Sequence, residues 1–235
     1  MNFSGYLSMQ YDLVETRIID LATSYRGRTS LVPAVVDALN VTRMAEVGVW
    51  RGEFSDLLLR SCPDLEHYVM VDPWRHLAQW DKPLNKKDAA LERDYQTAMA
   101  ATAHAVEKRH VMRGTTLEVA HEIPEGDLDF AYIDGDHTLR GVLIDLLKFY
   151  PKLRQGGVMW GDDFVQNIWQ HGEAHEPTLV FPTAIYIAEL MGDPIIALPD
   201  SQFAIIKTGG AGFALRDPFN LVSAPTVLAA ARVKG

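Results

Sequence analysis

Four carboxylates and one imidazole recur at the ends of apolar runs in the middle of the chain. Asp134-Gly135-Asp136-His137 follows one run, and Asp162-Asp163 follows another 28 residues later. If the two runs are neighbouring parallel strands, Asp134, Asp162 and Asp163 share one rim of a sheet, where open α/β folds bind ligands. Carboxylates converging there repel one another unless a cation or protons compensate. An oxygen-only set suits Mg²⁺, which keeps part of its water and takes substrate oxygens in place of the rest. The plainer alternative is that one of the pair caps a segment or holds a loop. His137 stands three residues past Asp134 at a helix start. An imidazole with an ordinary pKa of ~6.5 can take a hydroxyl proton there at neutral pH, or it can simply bond the backbone. Asp136 either orients that imidazole or caps the helix.

A second constellation lies upstream. Glu46-Val47-Gly48-Val49-Trp50-Arg51-Gly52 sits where a strand turns into a helix. Glycine suits such a place because the backbone bends sharply and a ligand can approach without a Cβ in the way. The following helix offers unpaired N–H groups. The G-x-G-x-x-G of nucleotide-diphosphate binders is absent, so no pyrophosphate cradle is indicated. Asp72 ends the next strand, 24 residues after Gly48. An acidic residue at that distance can accept hydrogen bonds from both hydroxyls of a ribose. A plain strand–helix turn and a capping Asp are the bland readings, and the combination is more specific than either part.

These groups need elements to hold them. Tyr11 to Tyr25 carries a helical apolar stripe, and a second helix is expected from about Leu31 to Leu39, started by Ser30 with Pro33 in its first turn. Strands are expected at Met44–Val49, His67–Val71, His110–Met112, Leu128–Ile133 and Val158–Trp160. Helices are expected at Phe54–Arg60, within Lys87–Lys108, and from Leu139 to Tyr150. In the last of these, Leu139, Val142, Leu143, Leu146, Leu147 and Tyr150 make one apolar face. Gly156-Gly157 should end the connection that follows it. A helix over Pro182–Met191 then leads to a hairpin, Ile195–Leu198 and Phe203–Lys207, around Pro199-Asp200-Ser201. Strands alternating with helices imply a mostly parallel sheet covered on both faces, and the hairpin adds an antiparallel strand at its edge.

The E-x-G-x-x-x-G loop, the acidic strand end and the D-G-D-H segment together resemble the class I, Rossmann-like methyltransferases that use S-adenosylmethionine. The likeness is greatest to small bacterial enzymes whose fourth strand ends in D-G-D-H, and it covers roughly Val41 to Lys207. It implies an α/β fold with a seven-stranded, mostly parallel sheet and an antiparallel edge strand. It divides the chain into an N-terminal helical segment, 1–40, a catalytic domain, 41–208, and a C-terminal tail, 209–235. Glu46 and Gly48 would face the methionine part of the cofactor, with Trp50 and Gly52 in the same loop, Asp72 the ribose, and Gly114-Thr115 the adenine. The acidic cluster is similar to that of metal-dependent O-methyltransferases of the catechol and antibiotic-sugar types. There an Asp after the fourth strand and an acidic pair after the fifth hold the metal, here Asp134, Asp162 and Asp163. Asp163 departs from the Asn usual in the catechol type. In the sugar-modifying relatives, a histidine at the place of His137 resembles a general base.

The implied reaction is methylation of a hydroxyl on a small metabolite, a sugar or phenol, assisted by a divalent cation. Metal-independent transfer using His137, perhaps to nitrogen, and an inactive cofactor-binding module are the alternatives. A dehydrogenase is disfavoured by the missing G-x-G-x-x-G and by the terminal hairpin. Segments 73–83 and 164–181, with Trp74, Trp80 and Trp169, are candidate lids, and Trp160 lies on the inferred rim. His171 and His175 in the second lid are either substrate contacts or ordinary loop histidines.

Composition narrows the partners. Of 235 residues, 48% are apolar, enough to bury a sizeable core, and the net charge is −9 with no basic block, against a nucleic-acid groove. Cys62 stands alone, excluding an intrachain disulfide and a thiolate zinc cluster. No apolar stretch approaches the ~18–20 residues of a membrane span, and no signal peptide is apparent, so a cytoplasmic protein is expected. The N-terminal helices either cover the active site or form a homo-oligomer contact.

Overall fold

The computed structural model describes the backbone of residues 3–222 and the side chains of residues 11–222. Two helices come first, α1 (Phe3–Ser24) and α2 (Arg28–Ala38). Alternation then begins with β1 (Arg43–Val47), α3 (Glu53–Ser61), β2 (His67–Asp72), α4 (Asp88–Ala101) and β3 (Arg109–Arg113). It continues through α5 (Thr116–Val119), β4 (Leu128–Ile133), α6 (Leu139–Phe149) and β5 (Leu153–Gly161). The chain then forms α7 (Val180–Met191), β6 (Pro194–Leu198), β7 (Gln202–Ile206) and β8 (Ala214–Arg216).

The strands form one sheet in the order β3-β2-β1-β4-β5-β7-β6-β8. Only β7 runs antiparallel to its neighbours, β5 and β6. Seven of these strands are the expected ones. The eighth, β8, pairs parallel with β6 and comes from the segment read as an unassigned tail. The part of that tail beyond residue 222 lies outside the described residues. Strand order reverses between β1 and β4, and their connections leave in opposite directions and open a crevice at the carboxyl ends.

Both faces of the sheet are buried, so side-chain alternation sorts residues between two apolar layers rather than between core and water. Met44, Tyr68, Met70, Phe130, Tyr132, Val158 and Trp160 pack toward α1, α2 and α3. Ala45, Val47, Val69, Val71, Ala131, Ile133 and Met159 pack toward α6 and α7. Among the described residues, no helix is long and apolar enough to cross a membrane.

Several boundaries differ from the sequence reading, each for a local reason. The first helix extends back to Phe3. The second begins at Arg28 after Gly27, so Ser30 lies inside it and Pro33 falls in its second turn. The N–H of Gly27 is held by Asp200 Oδ2 at 2.7 Å, which anchors this start to the β6–β7 turn. The alanine-rich helix stops at Ala101, where Arg109 Nη1 caps the carbonyl of Met99 at 2.7 Å. Strand β5 runs through Gly156-Gly157, which form an irregularity opposite Leu128–Phe130 rather than a strand boundary. On α6 the buried large apolar side chains are Val142, Leu146 and Phe149, while Leu139 and Leu147 are exposed.

Candidate active site

The crevice is built from the loop after β1. Gly48 takes φ +89°, and a Cβ there would lie 1.9 Å from the carbonyl oxygen of Asp134. The loop therefore passes in contact with the end of β4, which only glycine allows. Trp50 adopts φ +53°, a left-handed conformation unusual for a large side chain. Asp72 holds it there, accepting from the N–H groups of Val49 at 3.0 Å, Trp50 at 2.9 Å and Trp74 at 2.8 Å. Burial pushes the Asp72 carboxyl up, against these bonds. The Trp74 indole donates to the Trp50 carbonyl at 2.6 Å. Trp50 itself is flanked by Arg51 and Lys86, which share Asp94 with its indole nitrogen.

The other residues of this constellation surround that core. Glu46 is buried beneath the loop, accepting from the hydroxyls of Ser55 and Tyr68. Burial pushes its pKa up to about 7. Gly52 caps α3 at φ +74°, and a Cβ would be 2.9 Å from Ala98 Cα, so its role is to let α4 approach. Gly114 donates to the carbonyl of Asp72 at 3.1 Å. Thr115 forms a capping box with Glu118 at the start of α5. Arg75, with the Thr115 N–H, pulls the Glu118 pKa down to about 2.

On the opposite side of the crevice the acidic residues divide into two groups. Asp134 and Asp162 share the guanidinium of Arg28, which lies 2.7 Å from one and 3.1 Å from the other. Tyr132 and Gln202 also donate to Asp162. Even so, burial first and Asp134 second push the Asp162 pKa up to about 6. Asp163 turns away, at φ +58°, and faces His137, with Oδ2 2.7 Å from Nδ1. The other imidazole nitrogen, Nε2, lies 3.3 Å from Asp134 Oδ1. Burial alone would lower the His137 pKa, but the bonds to Asp134 and Asp163 outweigh it and raise it to about 10. Asp136 accepts from Thr138 N–H at 2.9 Å and packs over Gly141, so it shapes the start of α6, while the imidazole bonds Asp134 and Asp163.

The two expected lids meet over this site. The backbones of Asp81 and Glu176 bond each other, and Lys82 Nζ donates to the Glu176 carbonyl at 2.6 Å. Lys82 is buried, which lowers its pKa. The second lid also brings His171 to Asp163, 4.0 Å from Oδ2, with its ring stacked on that of His137. Trp74 and Trp160 are core residues, whereas Trp50 and Trp169 are exposed. Arg28 and Lys82 were not anticipated. The one sequence signal for Arg28 was indirect, since clustered carboxylates required some cation.

Residues 45–164, just over half of the chain, match the family described as "Methyltransferase domain". No curated protein sequence matches the chain significantly. Solved structures do. The O-methyltransferase from Bacillus cereus in complex with SAH shares 15% identity over 85% of this chain and 91% of its own, at a TM-score of 0.52. The O-methyltransferase TomG from Streptomyces achromogenes, involved in tomaymycin synthesis and in complex with SAM, shares 16% over 76% and 78%, at 0.51. Cofactor-bound Rv0187 from MTB shares 13% over 83% and 89%, at 0.54. At these identities the likeness is one of fold. With its family match and its 3-2-1-4-5-7-6 core of strands, the chain belongs to the methyltransferase-domain family and has the class I, S-adenosylmethionine-dependent methyltransferase architecture.

Proposed function

We propose that the protein transfers the methyl group of S-adenosylmethionine to a hydroxyl of a small metabolite, a sugar or phenol, with help from a divalent cation. The observation that carries this reading is the contact between the two constellations. Gly48 touches the end of β4, and the next groups along that rim are Asp134 and His137. A cofactor in the loop and a hydroxyl at the imidazole would therefore be neighbours.

The donor set suits the cofactor. Among the described residues Asp72 Oδ1 accepts only from the Trp74 N–H, which leaves it room for a ribose hydroxyl. Glu46, Gly48, Trp50 and Gly52 form or support the loop, and Gly114-Thr115 stand beyond Asp72 on the adenine side. Asp134 faces both the loop and the imidazole. Bound there, adenosylmethionine supplies an electrophilic methyl with its own leaving group, so no protein nucleophile is required. The protein's part is alignment and exclusion of water. His137 takes the hydroxyl proton at a ring nitrogen when neutral, and Asp134 and Asp163 stabilise the imidazolium that results. The lids joined by Lys82 and Glu176 close the space above.

Cation assistance draws support from the carboxylates after β4 and β5, Asp134, Asp162 and Asp163. A second reading, metal-independent transfer with His137 as base, is favoured by Arg28, whose guanidinium already compensates Asp134 and Asp162. Calorimetric titration with S-adenosylhomocysteine, with and without Mg²⁺, tests the first part. Micromolar binding is expected, and no binding in either condition would remove the reading. Turnover that survives EDTA would select the metal-independent form.

A further inference from the structure

We infer that His137, Asp163 and His171 form a binding site for a first-row transition-metal ion of the zinc or iron(II) class, with positions left open for the acceptor. Among the described residues these three bring one ligand atom each to within 4.8 Å of one another. Asp163 Oδ2 is the centre of the group, 2.7 Å from His137 Nδ1 and 4.0 Å from His171 Nε2. Ligand atoms ~2 Å from a common ion stand about 3 Å apart, so the first pair is already in place and the third ligand needs a small closure. His171 is set on the second lid by a turn in which Gly172 N–H bonds the Trp169 carbonyl at 2.8 Å.

Three further observations point the same way. The left-handed backbone at Asp163 directs its carboxylate away from Asp162 and toward the imidazoles. Arg28 engages Asp134 and Asp162, whereas among the described residues the ion-pair partners of Asp163 are the two histidines. Asp134 Oδ1 stands on the far nitrogen of His137, the outer carboxylate that orients a metal-ligating histidine.

Two nitrogens and one oxygen select against Mg²⁺, which prefers oxygen alone, and for zinc, iron(II) or cobalt(II). The three side chains are half-buried. This places the cation of the preceding section on the histidine side of the rim, where His137 serves as a ligand and not as the base; the imidazole is the proton acceptor only in the metal-independent reading. The cation's role in methyl transfer rests on the cation-assisted reading, whereas binding of the ion does not.

The test is titration of the chelator-treated, full-length protein with Co²⁺, followed by visible absorption, with Zn²⁺ as competitor. About one Co²⁺ per chain is expected, with bands of mixed nitrogen and oxygen ligation. His171→Ala and Asp163→Asn should each weaken binding by at least ~100-fold, and Asp134→Asn by the ~10–100-fold of an outer-shell change. S-adenosylhomocysteine binding, measured on the same samples, should survive in His171→Ala and show that the variant is folded. Failure of the wild type to bind Co²⁺ or Zn²⁺, or undiminished binding in both ligand variants, would overturn the site. So would preferential Mg²⁺ binding that is lost in Asp162→Asn. Co²⁺ binding without any S-adenosylhomocysteine binding would leave the site standing and remove the methyl-transfer reading instead.

Discussion

The guanidinium of Arg28 lies 2.7 Å from the carboxylate of Asp134, joining the first residue of α2 to the turn after β4. The same group reaches Asp162, so one residue of the N-terminal helices bridges two strand ends. Charged hydrogen bonds contribute about 1.5–3 kcal/mol when shielded. With 42% of the Arg28 side chain exposed, a discounted ~1 kcal/mol is the reasonable expectation. Arg28→Met should therefore lower Tm by ~2–4 °C at neutral pH. Mg²⁺ should recover that loss in the variant and leave the wild type unchanged, because the carboxylates then need another cation. Equal Mg²⁺ responses in thermal unfolding would show that the guanidinium does not fill this position.

Glu46 gives the stability curve a definite slope. Its folded pKa of about 7 stands above the ordinary 4.5, so the folded state favours the protonated carboxyl. The stability this contributes is full below pH 4.5 and is lost as pH rises through 7. Asp145, also buried and raised to about 7, acts in the same direction. Glu46→Gln keeps an acceptor for Ser55 and Tyr68 without the ionisation. Urea unfolding of this variant should show a flatter decline between pH 4.5 and pH 7 than the wild type. An unaltered decline would place the titration elsewhere.

His137 governs the alkaline side. Its pKa is raised from 6.5 to about 10, so its contribution to stability is complete below pH 6.5 and is lost as pH rises through 10. The same proton blocks its use as a base. Metal-free turnover should therefore climb with pH toward about 10, and His137→Gln should remove the climb along with most of the rate. A rate that is level over this range would exclude the imidazole as the proton acceptor.

Gly48 and Gly172 share nearly the same φ, +89° and +87°, but differ in what surrounds them. A Cβ on Gly48 would overlap the Asp134 carbonyl, whereas one on Gly172 meets nothing within 4 Å. Gly172→Ala should cost about 1 kcal/mol, the conformational penalty alone. Gly48→Ala should cost more than ~4 kcal/mol or prevent folding, because backbone must move. Comparable losses in the two variants would mean that the loop relaxes freely away from β4.

What could be read in advance was what local pattern determines. Asp72 and Asp134 end their strands as expected because apolar runs stop at the polar residue that reaches the rim. The Gly48 turn was legible for the same reason, although its steric partner was not. The start of α2 was misplaced because Gly27 is held by Asp200, 173 residues away, and no local signal records that bond. Arg28 was missed with it. The division of the acidic pair, Asp162 toward Arg28 and Asp163 toward His137, depends on one left-handed residue that propensity does not foresee. His171 carried little weight because loop histidines are common, and only the fold of the second lid sets it against Asp163.

The short strand β8 bears on how the protein behaves at high concentration. Strand β6, Pro-Ile-Ile-Ala-Leu, is wholly buried, and without β8 it would end the sheet with unpaired backbone groups along an apolar row. Such a row templates association with other chains. Three residues cover it, and Arg216, paired with Glu15 of α1 at 2.8 Å, sets a charge at the margin. The opposite margin, β3, begins and ends in arginine. Removal of residues 209–235 should therefore leave the crevice assembled yet make the protein self-associate, seen as larger species in light scattering. Colloidal stability in this chain would then depend on three residues at the far edge of the sheet from the crevice.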